Sequence, residues 1–460
     1  MQQMSASLQQ EYLEKLHDGT NCMLPSSNHT LPTGREYELY LVCDVGGSTF
    51  RVAYVSLGER LIEPKVPKVL HLATFPIGDD ERQLEGTSFF DWMGGKIAEM
   101  VGEWPNYDPE FRTFLSVGLS WSFPIEQTSQ KVSTIGPMGK GFTWARSIVG
   151  QDISELLTAS CAAHSLNVRV EAITNDSIAT LLLGARSNPC TSMSLILGTG
   201  INMAIRLPTS AVGKSRLAQR GLDQPSPPEM VTVNTEISMF GKDILPRTQW
   251  DGVLNRAHIL PDFQPLEYMT AGRYLGELFR LVLVEAMATT SFFQGDDPLF
   301  LHQPYSVDAK LLALIESDNS CGAIKSAIAV RDTLGLAEIP SRDEMAFLRT
   351  VVGAISTRAA AYLATAIHAL CAVERTSRQL TSQGAKIIIA CHGSVIEEYS
   401  SFRKRCQNFI NQLIERKSER DTLYGCKVVL QTMQPEAALI GAAIAAAMAI
   451  SEKGKVPMQR

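Results

Sequence analysis

The chain has 460 residues and nine cysteines, an odd number with no Cys-x-x-Cys pair. That speaks against a disulfide scaffold and a structural zinc site, and for reduced thiols in a cytosolic or nuclear setting. Long apolar runs are also scarce. The longest, Ala437 to Ile450, has 14 residues, short of the roughly 20 that a spanning helix needs, so no membrane partner is expected. Positive charge is not in excess: Lys plus Arg is 42 against 48 for Asp plus Glu, a formal charge of −6. No nucleic-acid partner recognised through overall charge is expected. No Gly-x-x-x-x-Gly-Lys-Ser/Thr run occurs, which excludes a Walker phosphate loop. The first twenty residues are polar and carry acids, unlike a secretory signal or an Arg-rich transit peptide. A cytoplasmic protein is the expectation, and Asn28-His29-Thr30 then reads as an idle glycosylation match.

What is present is ordinary for a globular chain: 45% hydrophobic and 20% charged residues. Disorder, collagen and coiled coil are poor fits. The length exceeds one comfortable core, so two domains are expected. A lead-in helix and a turn at Leu31-Pro32-Thr33-Gly34 precede strands over Glu38–Val45, Phe50–Leu57 and Val69–Phe75. A helix over Ser88–Gly102 and a strand over Phe114–Ser122 follow, then a long loop over 125–150. Asp152–His164 reads as helix, Val168–Ile173 as strand, and a helix runs from Ser177. Strands are expected at Ser194–Leu197 and Ile201–Leu207, with an exposed excursion over Pro208–Val231. Long helices fit Gln264–Thr289 and Asp343–Arg375. Lys386–Cys391 and Lys427–Thr432 read as strands, the second leading into the apolar helix Ala437–Ile450. Strands alternating with helices make this an α/β chain.

Two strand–Gly-turn–strand units stand out, Asp44-Val45-Gly46-Gly47-Ser48-Thr49 and Leu197-Gly198-Thr199-Gly200-Ile201-Asn202. Glycines there allow a positive φ and the close approach of a phosphate. Each is equally a plain hairpin; the pair suggests a duplicated fold holding one nucleotide from both sides. Asp44, at a strand end, can hold Mg²⁺ through water. Asn175-Asp176-Ser177 follows a strand and opens a helix, so Asp176 is either a general base or part of a helix cap. Gly139-Lys140-Gly141 sets an ammonium over a ligand oxygen or is a solvated loop. His392 is a ligand or an ordinary histidine, and the Met and aromatic residues of Tyr268–Leu281 recur at core spacing.

Taken in order, these segments resemble the hexokinase family. LVCDVGGSTFRVAYV is similar to its first phosphate motif, and VGLSWSFPIEQT with GKGF to its sugar signature. ITNDSIATLL resembles the segment with the catalytic Asp, LGTGIN the second phosphate motif and NTEISMFG a sugar-binding segment. LEYMTAGRYLGELFR resembles a helix with a further sugar-binding Glu. STRAAAYLA, around Arg358, and HGSVIEEYSSF resemble nucleotide-side elements. Within the family, DVGGST, SWSFP, NDSIA and LGTGINM look most like the fungal N-acetylglucosamine kinases.

The resemblance implies an α/β, two-domain actin-like ATPase (ribonuclease H-like) hexokinase fold, with a sugar cleft between a small and a large domain. The small domain is expected at 35–176 with 437–460, the large one at 1–34 with 177–436. It implies ATP as co-substrate, Mg²⁺ as cofactor and a small-molecule sugar as partner, in a monomer or dimer. The implied reaction phosphorylates the 6-hydroxyl of N-acetylglucosamine, with Asp176 as base and Lys140 facing the transferred phosphoryl group. Ser122, Asn175, Asn202, Glu236, Gln264 and Glu267 fall on sugar contacts. Asp44, which orients Mg²⁺ through water, Gly46, Gly47, Ser48, Thr49, Arg51, Gly198, Thr199, Gly200, Gly393 and Ser394 fall on nucleotide or phosphate positions. The chain departs from the family at Gly139, which replaces a Thr, and at Ile237-Ser238, which replaces Trp-Gly and opens volume suited to a 2-acetamido group. His392 replaces an Asp, and Glu436-Ala437-Ala438-Leu439 stands where an adenosine-side Gly turn is usual. The alternatives are a glucose or other hexose kinase and a non-catalytic hexokinase-like regulator.

Overall fold

The computed structural model describes residues 1–59, 66–104, 114–136, 147–222, 227–295, 298–380, 384–415 and 422–453. The chain forms two compact units of mixed α/β structure. One comprises residues 24–194, 204–234 and 433–460, the other 1–23, 195–203 and 235–432.

The first unit is built on a five-stranded sheet. Strand Leu39–Val45 pairs antiparallel with Thr49–Ser56, which pairs with Lys68–Pro76; on its other side it runs parallel to Leu115–Trp121, and that strand to Val168–Thr174. Six of the seven residues of Leu39–Val45 are buried, because both faces of this strand are covered. Alternate side chains go to opposite faces. Leu41, Cys43 and Val45 join a core with Phe89, Phe90, Met93 and Ile97 of helix Ser88–Gly102 and with Leu157 of helix Ile153–Ala163. Tyr40 and Val42 join a second core with Ile440, Ala443, Ile444 and Ala447 of helix Ala437–Lys453. Each fully buried large side chain contributes about 1.5–3 kcal/mol. The second layer is close because its residues are small. A Cβ on Gly118 would meet the Ala442 carbonyl oxygen at 2.4 Å, and one on Gly441 would meet that of Ala179 at 2.0 Å. In the same unit Ala204–Pro208 pairs antiparallel with Met230–Asn234.

The second unit is mainly helical. Its core helix, Arg342–Ser377, opens with a capping box between Ser341 and Glu344. By length and composition it could cross a membrane, yet 61% of its most apolar window is buried in the protein. The N-terminal helix Gln2–Asp18 lies against it, with a 2.8 Å hydrogen bond joining Ser5 Oγ and His368 Nδ1. Lys386–His392 and Lys427–Thr432 form a parallel pair.

Three sequence expectations need correction. The long loop over 125–150 contains a small hairpin, Ile125–Gln127 with Ser133–Ile135. The excursion over Pro208–Val231 contains helix Lys214–Gln219, whose Arg216 and Leu217 are buried, and runs into strand Met230–Asn234. The helix over Gln264–Thr289 is two helices, Pro265–Thr270 and Gly272–Thr289, parted at the extended Ala271. The break frees the Gly272 N–H to donate to the Gly198 carbonyl at 2.8 Å. Helical periodicity does not register such a one-residue interruption.

Candidate active site

In the first unit the register of the parallel strands does the assembling. Asp44 lies opposite Ser120, and Ser120 opposite Thr174. The residues just beyond these carboxyl ends therefore share one sheet edge, where ligands bind in open α/β sheets. Ser122 is tied there by its N–H to the Val45 carbonyl, 3.1 Å. Its hydroxyl donates to Asp176 Oδ2 at 3.1 Å. Asp176 is the first residue of helix Asp176–Ser187, and its other oxygen accepts the Ser177 N–H at 2.7 Å. Asn175 is the cap, accepting Ser177 N–H and Oγ–H at 2.9 and 2.7 Å. The cap and the carboxylate that Ser122 reaches thus sit on adjacent residues.

Asp44 Oδ2 accepts Arg51 Nε–H and Nη2–H at 3.0 and 2.6 Å from the facing strand. The Asp44 side chain is 7% exposed and that of Arg51 23%. One carboxylate partly neutralised by a guanidinium is no metal cage, and no cluster of three His, Cys, Asp or Glu exists among the described residues. It suits Mg²⁺ held through water while phosphates supply most ligands.

The turn after Asp44 is closed by Gly46 N–H on the Thr49 carbonyl, 2.9 Å. Its Gly47 and Ser48 carbonyls are used by Arg82 Nη2–H, 3.1 Å, and Ile77 N–H, 2.9 Å. The N–H groups of Gly47 and Ser48 have no partner among the described residues. Gly46, Gly47, Gly198 and Gly200 do not have positive φ. The expectation of left-handed turns is corrected accordingly; of Gly46, Gly198 and Gly200, only Gly200 would bring an added Cβ closer than ordinary contact. Gly139 and Lys140 lie outside the described residues.

In the second unit, Gly198 N–H bonds the Gly200 carbonyl at 3.0 Å, closing the other turn. Gly272 N–H and Arg273 N–H reach the Gly198 and Thr199 carbonyls at 2.8 and 3.4 Å. Glu267 Oε2 accepts Ile201 N–H at 2.9 Å, and a Cβ on Gly200 would sit 2.7 Å from that oxygen. Asn202 Nδ2 lies 3.5 Å from Glu236 Oε1, and Glu236 itself has φ 48°. Gln264 Nε2–H donates to Ser238 Oγ at 3.3 Å, beside the fully buried Ile237. Gly393 has φ 118°, and a Cβ there would meet the Leu197 carbonyl oxygen at 2.5 Å. Ser394 lies on the other side of that approach, 3.5 Å from a Cβ on Gly198. Asn202, Glu236, Gln264 and Glu267 are thus brought together with the Gly198–Gly200 turn and with Gly393-Ser394.

Sequence reading missed three features. Arg358 is bound by Asp251 through two hydrogen bonds, 2.6 and 2.9 Å. Glu397 Oε1 lies 2.8 Å from His392 Nδ1 and accepts Gly393 N–H at 3.2 Å. His258 joins Tyr268 and Tyr274 behind Glu267. The i, i+5 spacing of His392 and Glu397 is a weak signal; the others join residues distant in sequence or surrounded by no pattern.

Two family models, both described as hexokinase, match residues 1–186 and 192–448. N-acetylglucosamine kinase 1 of Candida albicans is 29% identical over 452 residues, covering 92% of this chain and 85% of its own length. Hexokinase-1 of Spinacia oleracea is 30% identical over 420 residues, covering 90% and 80%. The solved hexokinase of Schistosoma mansoni complexed with glucose matches with a TM-score of 0.81 at 24% identity, covering 97% of this chain and 94% of its own.

Proposed function

The chain belongs to the hexokinase family and has its two-domain, actin-like α/β fold, and on that premise we propose that it phosphorylates the 6-hydroxyl of N-acetylglucosamine. Kinases of this family are phosphotransferases that use ATP. The observation that carries the catalytic reading is the Asp176 carboxylate at a helix N-terminus, with Ser122 Oγ 3.1 Å away. A carboxylate so oriented accepts the proton of the sugar hydroxyl as it attacks the γ-phosphate. Ser122 Oγ–H and Ser177 N–H each hold one oxygen of that carboxylate.

Asn175, Asn202, Glu236, Gln264 and Glu267 take the sugar hydroxyls in this reading, and Lys140 supplies charge to the transferring phosphoryl group. The uncommitted N–H groups of the Gly46–Thr49 and Gly198–Gly200 turns, with Gly393-Ser394, take the nucleotide phosphates. Bound Mg²⁺ supplies positive charge at those phosphates, and Asp44, kept in place by Arg51, orients it through water. The functional small domain is 35–176 with 437–460 and the large one 1–34 with 177–436, a division by role that differs in its bounds from the compact units. The enzyme is taken to be cytoplasmic.

Support for N-acetylglucosamine comes from the Candida albicans relative and from Ile237-Ser238, where Ile replaces the larger Trp usual in the family. The Spinacia oleracea relative favours a second reading, glucose. The test is ADP release from Mg-ATP with each sugar, with Asp176→Asn as control. Turnover of N-acetylglucosamine that the variant abolishes supports the proposal. Equal turnover by the variant removes Asp176 as base, and a folded wild type without turnover of either sugar favours the regulator.

A further inference from the structure

Helix Pro265–Thr270 has six residues, Pro265 at its start, and no side-chain cap at Gln264. A helix this short has no stability of its own. The orientation of Gln264 and Glu267 is therefore set by what grips the helix from outside. Pro265, Leu266, Tyr268, Met269 and Thr270 are buried, so packing sets its depth, and polar contacts add to the hold on its orientation.

A polar clamp supplies those contacts. The single Tyr268 Oη–H is shared between the Leu260 carbonyl and His258 Nδ1, each 2.9 Å away. The Leu260 N–H donates to His258 Nδ1 at 3.1 Å. On the far side of the ring, Nε2 is 3.3 Å from Tyr274 Oη. The imidazole thus touches three segments: the turn after helix Gln249–Ala257, the helix carrying Glu267, and the start of helix Gly272–Thr289, whose N–H groups brace the Gly198–Gly200 turn. Because Nδ1 accepts an N–H, the proton of the neutral ring is on Nε2. The rings pack as well as bond, His258 to Tyr268 at 4.4 Å between centroids and Tyr268 to Tyr274 at 5.0 Å. Burial, with Arg273 nearby, holds the His258 pKa below its usual range, consistent with a neutral ring.

We propose that His258 is a positioning residue that sets sugar affinity by fixing Tyr268 and Leu260, and through them Gln264 and Glu267. The inference rests on the reading of Gln264 and Glu267 as sugar contacts. A histidine that merely fills the core predicts something else: loss of stability, with sugar and nucleotide affected alike.

The experiment compares wild type, His258→Ala, His258→Asn and Tyr268→Phe in the full chain. Initial rates give KM for sugar and for ATP, and titration calorimetry gives the sugar Kd, each with N-acetylglucosamine and with glucose. His258→Ala raises sugar KM and Kd roughly tenfold, with ATP KM changing less than about twofold, the scale expected for a lost buried hydrogen bond. His258→Asn, whose side-chain carbonyl still accepts Leu260 N–H, recovers most of the loss. Tyr268→Phe, which removes one hydroxyl and keeps the ring, weakens sugar binding in the same direction and decides the matter if His258→Ala does not fold. Unchanged sugar affinity, a parallel rise in both KM values, or an Asn variant no better than Ala overturns the proposal. A wild type that uses glucose and rejects N-acetylglucosamine overturns only the substrate reading, and the clamp is then read on glucose. A wild type that binds neither sugar overturns both.

Discussion

The candidate residues of the two units are held in different ways. At the sheet edge, Asp44, Ser122, Asn175 and Asp176 stand where they do because parallel strands run in register, Asp44 opposite Ser120 and Ser120 opposite Thr174. Covalent attachment to a strand buried on both faces leaves them little freedom. In the helical unit, Glu236, Gln264 and Glu267 sit on a left-handed residue, an uncapped helix start and a six-residue helix. Side-chain contacts help to hold them: Asn202 Nδ2–H on Glu236, Ile201 N–H on Glu267, Gln264 Nε2–H on Ser238 Oγ, and His258 with Tyr268. The first set is fixed by the fold and the second in part by individual bonds. Substitutions at Asp44 and Asp176 are therefore expected to change chemistry or global stability, and those at Glu236, Gln264 and Glu267 to change sugar affinity.

The largest effect expected from this contrast is at Asp176. Asp176→Asn keeps the volume and the Ser122 contact yet removes the base, so turnover falls by roughly 10²–10⁴ while the calorimetric sugar Kd shifts little. A loss of binding equal to the loss of rate would erase the distinction between the units. Next comes Arg51→Gln, which leaves the nearly buried Asp44 carboxylate without its cation. Breaking such a pair costs about 3–5 kcal/mol when both partners are buried, and somewhat less here because Arg51 is partly exposed. Urea unfolding reads the loss; an unchanged midpoint would mean that Asp44 is not held by Arg51.

Two glycines then sharpen the comparison at similar cost. Gly441→Ala forces a Cβ to 2.0 Å from the Ala179 carbonyl oxygen, destabilising the fold by about 1–3 kcal/mol with sugar KM unchanged. Gly200→Ala pushes at Glu267 Oε2, 2.7 Å away, and raises sugar KM with a smaller shift in the unfolding midpoint. The reverse pattern would contradict the assignment of the two units.

The smallest expected effect is a pH dependence. The His258 pKa lies below its usual value of 6.5, through burial first and then the charge of Arg273, with Tyr268 and Tyr274 as its other titratable neighbours. A depressed folded pKa means that the unfolded chain takes up its proton first as pH falls. The stability contributed by the neutral ring is thus present above pH 6.5 and is lost as pH drops through the folded value. Sugar KM should rise on that acid side in wild type, and His258→Asn should flatten the rise.

How much of this was legible in the sequence follows the same line. The sheet-edge residues were legible because strand ends, Gly turns and helix caps are local signals: DVGGST after an apolar run, and Asn-Asp-Ser after Val168–Thr174. Of the two readings of that tripeptide, the cap is present at Asn175, and Asp176 opens the helix beside it. The break at Ala271 was not legible, since it answers the Gly198 carbonyl more than seventy residues earlier in the chain. Nor was the helix at Lys214–Gln219, whose polar sequence hides the buried Arg216 and Leu217. Arg358 with Asp251, and His258 with Tyr268, depend on helices meeting in space, which neither periodicity nor a motif encodes.

The central claim, a kinase that selects N-acetylglucosamine, is tested most directly by competition. N-acetylglucosamine and glucose are supplied together with Mg-ATP at equal concentrations below both KM values, and the two sugar 6-phosphates are quantified by mass spectrometry. Their ratio is the ratio of kcat/KM. The account predicts that N-acetylglucosamine 6-phosphate dominates, and dominance of glucose 6-phosphate would contradict it.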